Sequence, residues 1–182
     1  MLNSPTTARL LRSAVQTPLG PMVLGATDNG ACLCEFDDRR ALSTERAELE
    51  RAFETPFADG SNEHLDLLAH ELAEYFRGTL RAFTVPLDTP GTPFERDVWS
   101  RLVSIPYGST TSYGELARAL GKPGAPRAVG RANGRNRLAI VVPCHRVIDS
   151  TGALHGYGGG LHRKRWLLDH ERTHAGTTLW SA

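Results

Sequence analysis

The chain has 182 residues, 40% hydrophobic and 23% charged, with a formal net charge of +1. That length supports a core in one large domain or two small ones, and the ordinary apolar content excludes a disordered chain. No stretch approaches the roughly 18 uninterrupted apolar residues of a membrane span, and no apolar leader opens the sequence. The cysteines number three, an odd count that argues against a disulfide framework and fits a reducing, cytoplasmic compartment.

The near-zero charge hides an asymmetry. Residues 1–89 carry 8 Lys and Arg against 14 Asp and Glu, whereas residues 90–182 carry 13 against 6. Such a basic half, built mainly of arginine, suits a polyanion contacted bidentately; the bland alternative is that the two halves attract each other.

Residues 21–27 and 31–36 are short apolar runs separated by Asp28-Asn29-Gly30, a hairpin signal. Residues 41–54 are acidic and helix-forming. Residues 63–77 set Leu65, Leu68, Leu72 and Phe76 on one helical stripe, closed by Gly78. Residues 84–87 are a further candidate strand, and Thr89-Pro90-Gly91-Thr92-Pro93 reads as a linker that places a domain boundary. Cys32 and Cys34 lie two apart on a strand and so on one face. With no second Cys/His couple at zinc spacing, packing is favoured over a metal site.

The second half opens helically, with Phe94, Val98, Leu102 and Ile105 at helical spacing before Pro106 and Gly108. Ser112 and Glu115 fit a capping box ahead of a helix over 113–120. Residues 122–125 are a turn, and Pro126 stands at the start of a helix over 127–135. Two short helices around a Gly-containing turn look like a helix-turn-helix. Arg127, Arg131 and Arg135 recur every four residues on the second helix, among the small residues Ala128, Gly130, Ala132 and Gly134. A solvated basic face is the plain reading; the helix-turn-helix setting favours nucleic acid.

Residues 140–148, IVVPCHRVI, place Cys144 directly beside His145. The apolar run reads as a buried strand that Pro143 ends, holding Cys144 at the rim of the core. A free Cys is often mere packing, but the charged neighbours His145 and Arg146 point towards a reactive thiol. Residues 156–160 form a Gly-rich turn without the Gly-Lys-Ser/Thr of a phosphate loop. The final helix directs Trp166, Leu167 and Leu168 to the core and closes on Asp169-His170-Glu171.

Taken together, TPFERDVW, IPYGSTTSYGELA, RAVGRAN, PCHRVI, GYGGGLHRKRWLL and the closing Glu171 resemble, in order, the O6-methylguanine-DNA methyltransferase family. These motifs span nearly all of residues 92–171, and the N-terminal half shares only TPLGPMVL and its hairpin. The resemblance implies an α/β (α+β) chain. A ribonuclease H-like sheet-plus-helix scaffold would occupy 1–89, an alkyltransferase and DNA-binding domain 90–175, and a tail 176–182.

It further implies direct transfer of an alkyl group from O6-alkylguanine in double-stranded DNA, with O4-methylthymine as a second substrate, to Cys144. His145 would act as base through a water, and Glu171 would orient it. Asn136 would tie the recognition helix to the active-site segment, and Tyr113 would give a proton to the leaving guanine. Arg127 would fill the gap left by a flipped nucleotide, with Ser112, Ala128, Gly130, Arg131 and Arg135 against DNA. Tyr157, Gly158, Val147 and Tyr113 would line the pocket. The implied reaction uses no cofactor and no metal, consumes the protein, and involves a monomer open to cooperative assembly on DNA.

Departures from the family pattern are Arg137 where proline is usual, Gly158 where serine is common, and Gly114 where a polar residue is frequent. The zinc ligands of some relatives find no match. Three other readings compete: a non-enzymatic binder of damaged DNA, a helix-turn-helix transcription factor, and a Cys-His-Glu acyl hydrolase. The first lacks a reactive cysteine and the second leaves Cys144, His145 and Glu171 unexplained, whereas the third would turn over repeatedly.

Overall fold

A computed structural model describes residues 9–176. β1 (Leu11–Thr17), β2 (Gly20–Ala26) and β3 (Ala31–Phe36) form an antiparallel meander, and β4 (Ala58–Asp59) adds parallel to β1, giving the order β3-β2-β1-β4. The β2–β3 turn falls at the expected Asp28-Asn29-Gly30, where Thr27 N donates to Gly30 O at 2.9 Å. Gly30 has φ 156°, and a Cβ there would overlap the Pro86 carbonyl, so glycine is required.

β1 is not evident in the sequence. LRSAVQT has little alternation, and its place comes from a hairpin through Pro18-Leu19, with partners running from Leu11–Ala26 to Thr17–Gly20. α1 (Leu42–Ala52) packs on β3, and α2 (Glu63–Phe76) on β1 and β2, burying Leu65, Leu68 and Leu72 as its stripe predicts.

Residues 84–87 do not form the expected strand. Glu71 captures their backbone donors, with Thr84 N at 2.8 Å and Val85 N at 3.1 Å from its carboxylate. Only a single parallel bridge, Ala31 to Leu87, reaches the sheet. A carboxylate that takes the amides leaves no ladder to build.

The C-terminal half comprises α3 (Pro93–Val103), β5 (Thr111–Ser112), α4 (Tyr113–Ala119), α5 (Pro126–Gly134), a 3-10 turn (Cys144–Arg146), β6 (Val147–Ile148) and α6 (Leu161–His174). α3 and α4 both begin with reciprocal capping boxes, Thr92 with Glu95 and Ser112 with Glu115. An orphan amide is satisfied at each end of such a box, which fixes where the helix starts. α5 begins at Pro126 and ends one residue before Arg135, which therefore lies just outside the helix. The α/β class, a sheet-plus-helix half followed by a helical half, agrees with the sequence.

The apolar run over 140–142 is buried but is not a strand. Leu138 bridges Cys34, and the chain then turns through Ile140 at φ 74°. A left-handed β-branched residue is uncommon and needs outside support. Asn136 supplies it, its Nδ2 donating to Val142 O at 2.8 Å while its Oδ1 accepts from Leu138 N at 3.0 Å. Apolar content reports burial here, and burial does not distinguish a strand from a packed turn.

α6 departs from expectation too. Leu167 is buried, but Trp166 is half-buried and stacks on His170 at 4.8 Å, and Leu168 is partly exposed. The buried side of α6 carries Arg163, Lys164, His170 and Glu171 alongside Leu167.

One continuous core joins the halves: Met22, Leu24, Leu68 and Tyr75 from the first belong to the same cluster as Val98, Leu102, Leu138 and Val141 from the second. Ion pairs cross as well, Arg137 with Glu48 and Arg163 with Asp38. The charge asymmetry thus serves in part to hold the halves together. Arg137, in the place of the usual proline, is one of those clamps and also donates to Pro90 O at 3.1 Å. Its own carbonyl accepts from Cys34 N at 2.8 Å, so the segment is anchored without proline.

Candidate active site and nucleic-acid interface

Cys144 opens the 3-10 turn directly after Pro143 and is 7% exposed. A 3-10 turn splays successive side chains by about 120°, so Cys144 and His145 diverge as expected, although not on a strand. Asn136 Nδ2 lies 3.1 Å from Cys144 Sγ. The amide that shapes the 138–142 turn therefore also holds the sulfur.

Behind the cysteine, His145 Nε2 is 2.7 Å from Glu171 Oε1, with both side chains fully buried. Arg146 grips the same carboxylate twice, Nε at 2.8 Å and NH2 at 3.0 Å. Tyr75 OH donates to Glu171 Oε1 at 2.9 Å, and Gly108 N donates to Oε2 at 3.0 Å. Burial alone would raise the Glu171 carboxyl, but the hydrogen bond from His145 and the hydrogen bonds and charge of Arg146 overcome it and hold the group at about 2. Burial lowers His145 below its ordinary value of 6.5, against the pull of Glu171.

The site is therefore carboxylate, guanidinium and neutral imidazole at neutral pH. A carboxylate only accepts, so Nε2 carries the imidazole proton and Nδ1 keeps its lone pair. His145 Nδ1 is buried with no hydrogen-bond partner among the described residues. Its free lone pair is the one the neighbours leave available for a proton.

Burial pushes the Cys144 thiol up to about 11, while the Asn136 hydrogen bond and the positive charges of Arg39 and Lys164 oppose that rise. At neutral pH the group is therefore a thiol. Lys164, fully buried, donates to Val147 O at 2.7 Å and His155 O at 2.9 Å, and burial lowers its pKa. Val147 N donates back to Cys144 O.

Tyr113, first residue of α4, is half-buried, and its hydroxyl is raised by burial and by the neighbouring Cys144. A Cβ on Gly130 would stand 3.8 Å from the Tyr113 ring, so the small face of α5 lies against it. Ser112 caps α4. On α5, Arg127 and Arg131 are exposed, Ala128 is half-buried, and Arg135 pairs with Glu95 at 2.9 Å while staying largely exposed. Tyr157 packs on the core with a buried hydroxyl that has no hydrogen-bond partner among the described residues. Gly158 abuts Arg39.

Tyr75, Lys164 and Arg39 are site neighbours that the sequence does not point out. Only Tyr75 leaves a trace, as a buried tyrosine on an apolar face whose hydroxyl must find a partner. Among the described residues, no group of three or more His, Cys, Asp or Glu could hold a metal ion. None of the described helices is long and apolar enough to cross a membrane.

Fold and site together define an α/β protein with a buried cysteine next to a His–Glu–Arg cluster and a helix pair that carries exposed arginines. Residues 10–89 match the family model of the 6-O-methylguanine DNA methyltransferase ribonuclease-like domain, and residues 93–173 that of its DNA binding domain. The chain belongs to the 6-O-methylguanine DNA methyltransferase family. It is 44% identical to the methylated-DNA–protein-cysteine methyltransferase of Mycobacterium tuberculosis H37Rv over 91% of this chain and 94% of that one. It is also 44% identical to the Salmonella typhimurium protein of the same name, over 90% and 96%. Among solved structures, the M. tuberculosis OGT in complex with DNA superposes with TM-score 0.78 at 39% identity, over 90% of this chain and 94% of that chain.

Proposed function

We propose that the chain repairs alkylated DNA by moving a methyl group from O6 of guanine in duplex DNA onto its own Cys144. The observation that carries this is the Cys144 sulfur held by Asn136 on a turn whose next two residues, His145 and Arg146, both pair with the buried Glu171.

In this reading residues 1–89 are the scaffold and 90–175 carry DNA binding and transfer. The thiol proton passes through a water to His145 Nδ1 as the sulfur attacks the alkyl carbon. The S–C bond forms and the C–O6 bond breaks, and the departing guanine takes up a proton from Tyr113. Tyr113 regains its proton through solvent from the His145 imidazolium, so the proton lost by the thiol ends on the departing guanine and no oxidant, metal or cofactor is called for. The product is a thioether, which water does not hydrolyse, so one chain acts once. Its partner is double-stranded DNA carrying O6-alkylguanine, which a monomer engages through α5.

The test is the mass of the chain after incubation with an O6-methylguanine duplex. A gain of one methylene mass, mapped to the Cys144 peptide and saturating at one per chain, is expected. An unchanged Cys144 peptide sinks the reading, and repeated turnover on an ester would favour a hydrolase.

Arg127 supplies a second prediction. In this reading Arg127, exposed at the start of α5, fills the gap left by an extruded nucleotide, whose unstacking costs a few kcal/mol. Arg127→Ala should slow repair of duplex substrate by about tenfold or more while leaving transfer from a free base analogue within about twofold. Single-turnover rates on both substrates decide it; equal slowing of the two excludes a flipping role.

A further inference from the structure

Arg39, just beyond β3, is held in a way that scaffold packing alone does not call for. Its side chain is 8% exposed. NH1 donates to Glu35 Oε1 at 3.1 Å, and NH2 donates to Glu45 Oε1 at 2.6 Å and to the Gly134 carbonyl at 3.2 Å. Glu35 lies on β3 and Glu45 in the first turn of α1, both buried. A guanidinium gripped from two sides cannot swing away without leaving a buried carboxylate unpaired, which proteins rarely tolerate.

The other side of this group is Gly158. A Cβ on Gly158 would overlap NH1 and Cζ of Arg39 and stand 3.0 Å from NH2. Gly158 is not among the glycines with positive φ, so its backbone does not require glycine. Space does, and that space belongs to the guanidinium. The adjoining Tyr157 hydroxyl and the Arg39 Nε are both buried without partners among the described residues. Arg39 also stands close enough to Cys144 for the two charges to influence each other, the cation favouring the thiolate against the larger effect of burial.

We propose that Arg39 is a positioning residue of the alkyl-transfer pocket: its guanidinium stands where a side chain on residue 158 would stand and fixes the Tyr157–Gly158 segment beside Cys144. The inference rests on the transfer reading above. It gives the N-terminal half a part in the pocket. Through the Gly134 carbonyl it also ties that half to the end of α5, so the DNA-reading helix and the pocket wall share one anchor.

The experiment is a double-mutant cycle on the full chain, read as single-turnover methyl transfer from an O6-methylguanine duplex. Melting temperature and duplex affinity are measured in parallel. Gly158→Ser is expected to slow transfer by about tenfold or more with affinity retained, because a small displacement of a pocket wall is costly in rate. Arg39→Ala is expected to slow transfer by about fivefold. In the Arg39→Ala background, adding Gly158→Ser should change the rate by less than about twofold, since the clash is gone.

Removing Arg39 alone leaves two buried carboxylates facing each other. The cycle is therefore repeated on Glu35→Gln/Arg39→Ala, which removes one of them. A native rate in Gly158→Ser overturns the proposal, and so does equal slowing by Gly158→Ser in both backgrounds. If the native chain transfers no methyl group, the transfer reading fails instead, and the two failures are told apart.

Discussion

Cys144→Ser abolishes methyl transfer and leaves duplex affinity within about twofold of the native chain, because affinity comes from phosphate contacts that this residue does not make. The substitution is close to isosteric, and the new hydroxyl inherits a donor, since Asn136 Nδ2 stands 3.1 Å from the atom it replaces. Fold and DNA-reading surface therefore persist. The chemistry does not, because an alkoxide is far harder to form than a thiolate and the paired His145 is too weak a base to generate one. Gel-shift titration and mass analysis on the same preparation check both halves of the statement. Loss of binding together with transfer would contradict the division between a surface that binds and a thiol that reacts.

Glu171→Ala is expected to damage stability and rate together. The carboxylate accepts from His145, twice from Arg146, and from Tyr75 and Gly108. Its removal leaves Arg146 as an uncompensated buried charge, which costs about 3–5 kcal/mol. Transfer should fall by at least about a hundredfold, since His145 loses the partner that fixes its tautomer.

The same group governs the response to acid. Glu171 is held at about 2 against an ordinary 4.5, so its stabilisation, of order 3 kcal/mol, is complete above pH 4.5 and is lost as pH falls towards 2. His145 is lowered below 6.5, so the unfolded chain takes the proton first and stability begins to decline below that pH. Both effects point the same way. Urea unfolding at pH 5 and pH 3 should show the native chain losing more stability on acidification than Glu171→Ala. A parallel loss in both would mean that Glu171 is not the group responsible.

Much of this was legible in the residues. The hairpin at Asp28-Asn29-Gly30, the stripe of α2, the capping box at Ser112 and the proline start of α5 are local signals, and each lies within a few residues of the element it specifies. The Cys144–His145 pair stood out because charge beside an apolar run is unusual. What stayed hidden depends on contacts distant in the chain. β1 exists because β2 and β4 pair with it, and residues 84–87 miss the sheet because Glu71 takes their amides. The turn at 140–142 is held by a side-chain amide that periodicity cannot see. Lys164 and Arg39 belong to residue types expected on the surface, and only their buried partners explain their depth.

The three thiols are not equivalent. Cys32 and Cys34 are walled in at 1% and 0% exposure, and burial first, with nearby carboxylates second, pushes Cys32 up to about 12 and Cys34 well above its ordinary value. Of the three, Cys144 is the most exposed, at 7%, and has His145 next to it in the chain and the cations Arg39 and Lys164 near enough to act on it. A small electrophile meeting the folded chain therefore addresses Cys144 before the spectators. For a protein whose reagent is its own side chain, the number of accessible thiols in a sample becomes an inventory of unspent molecules.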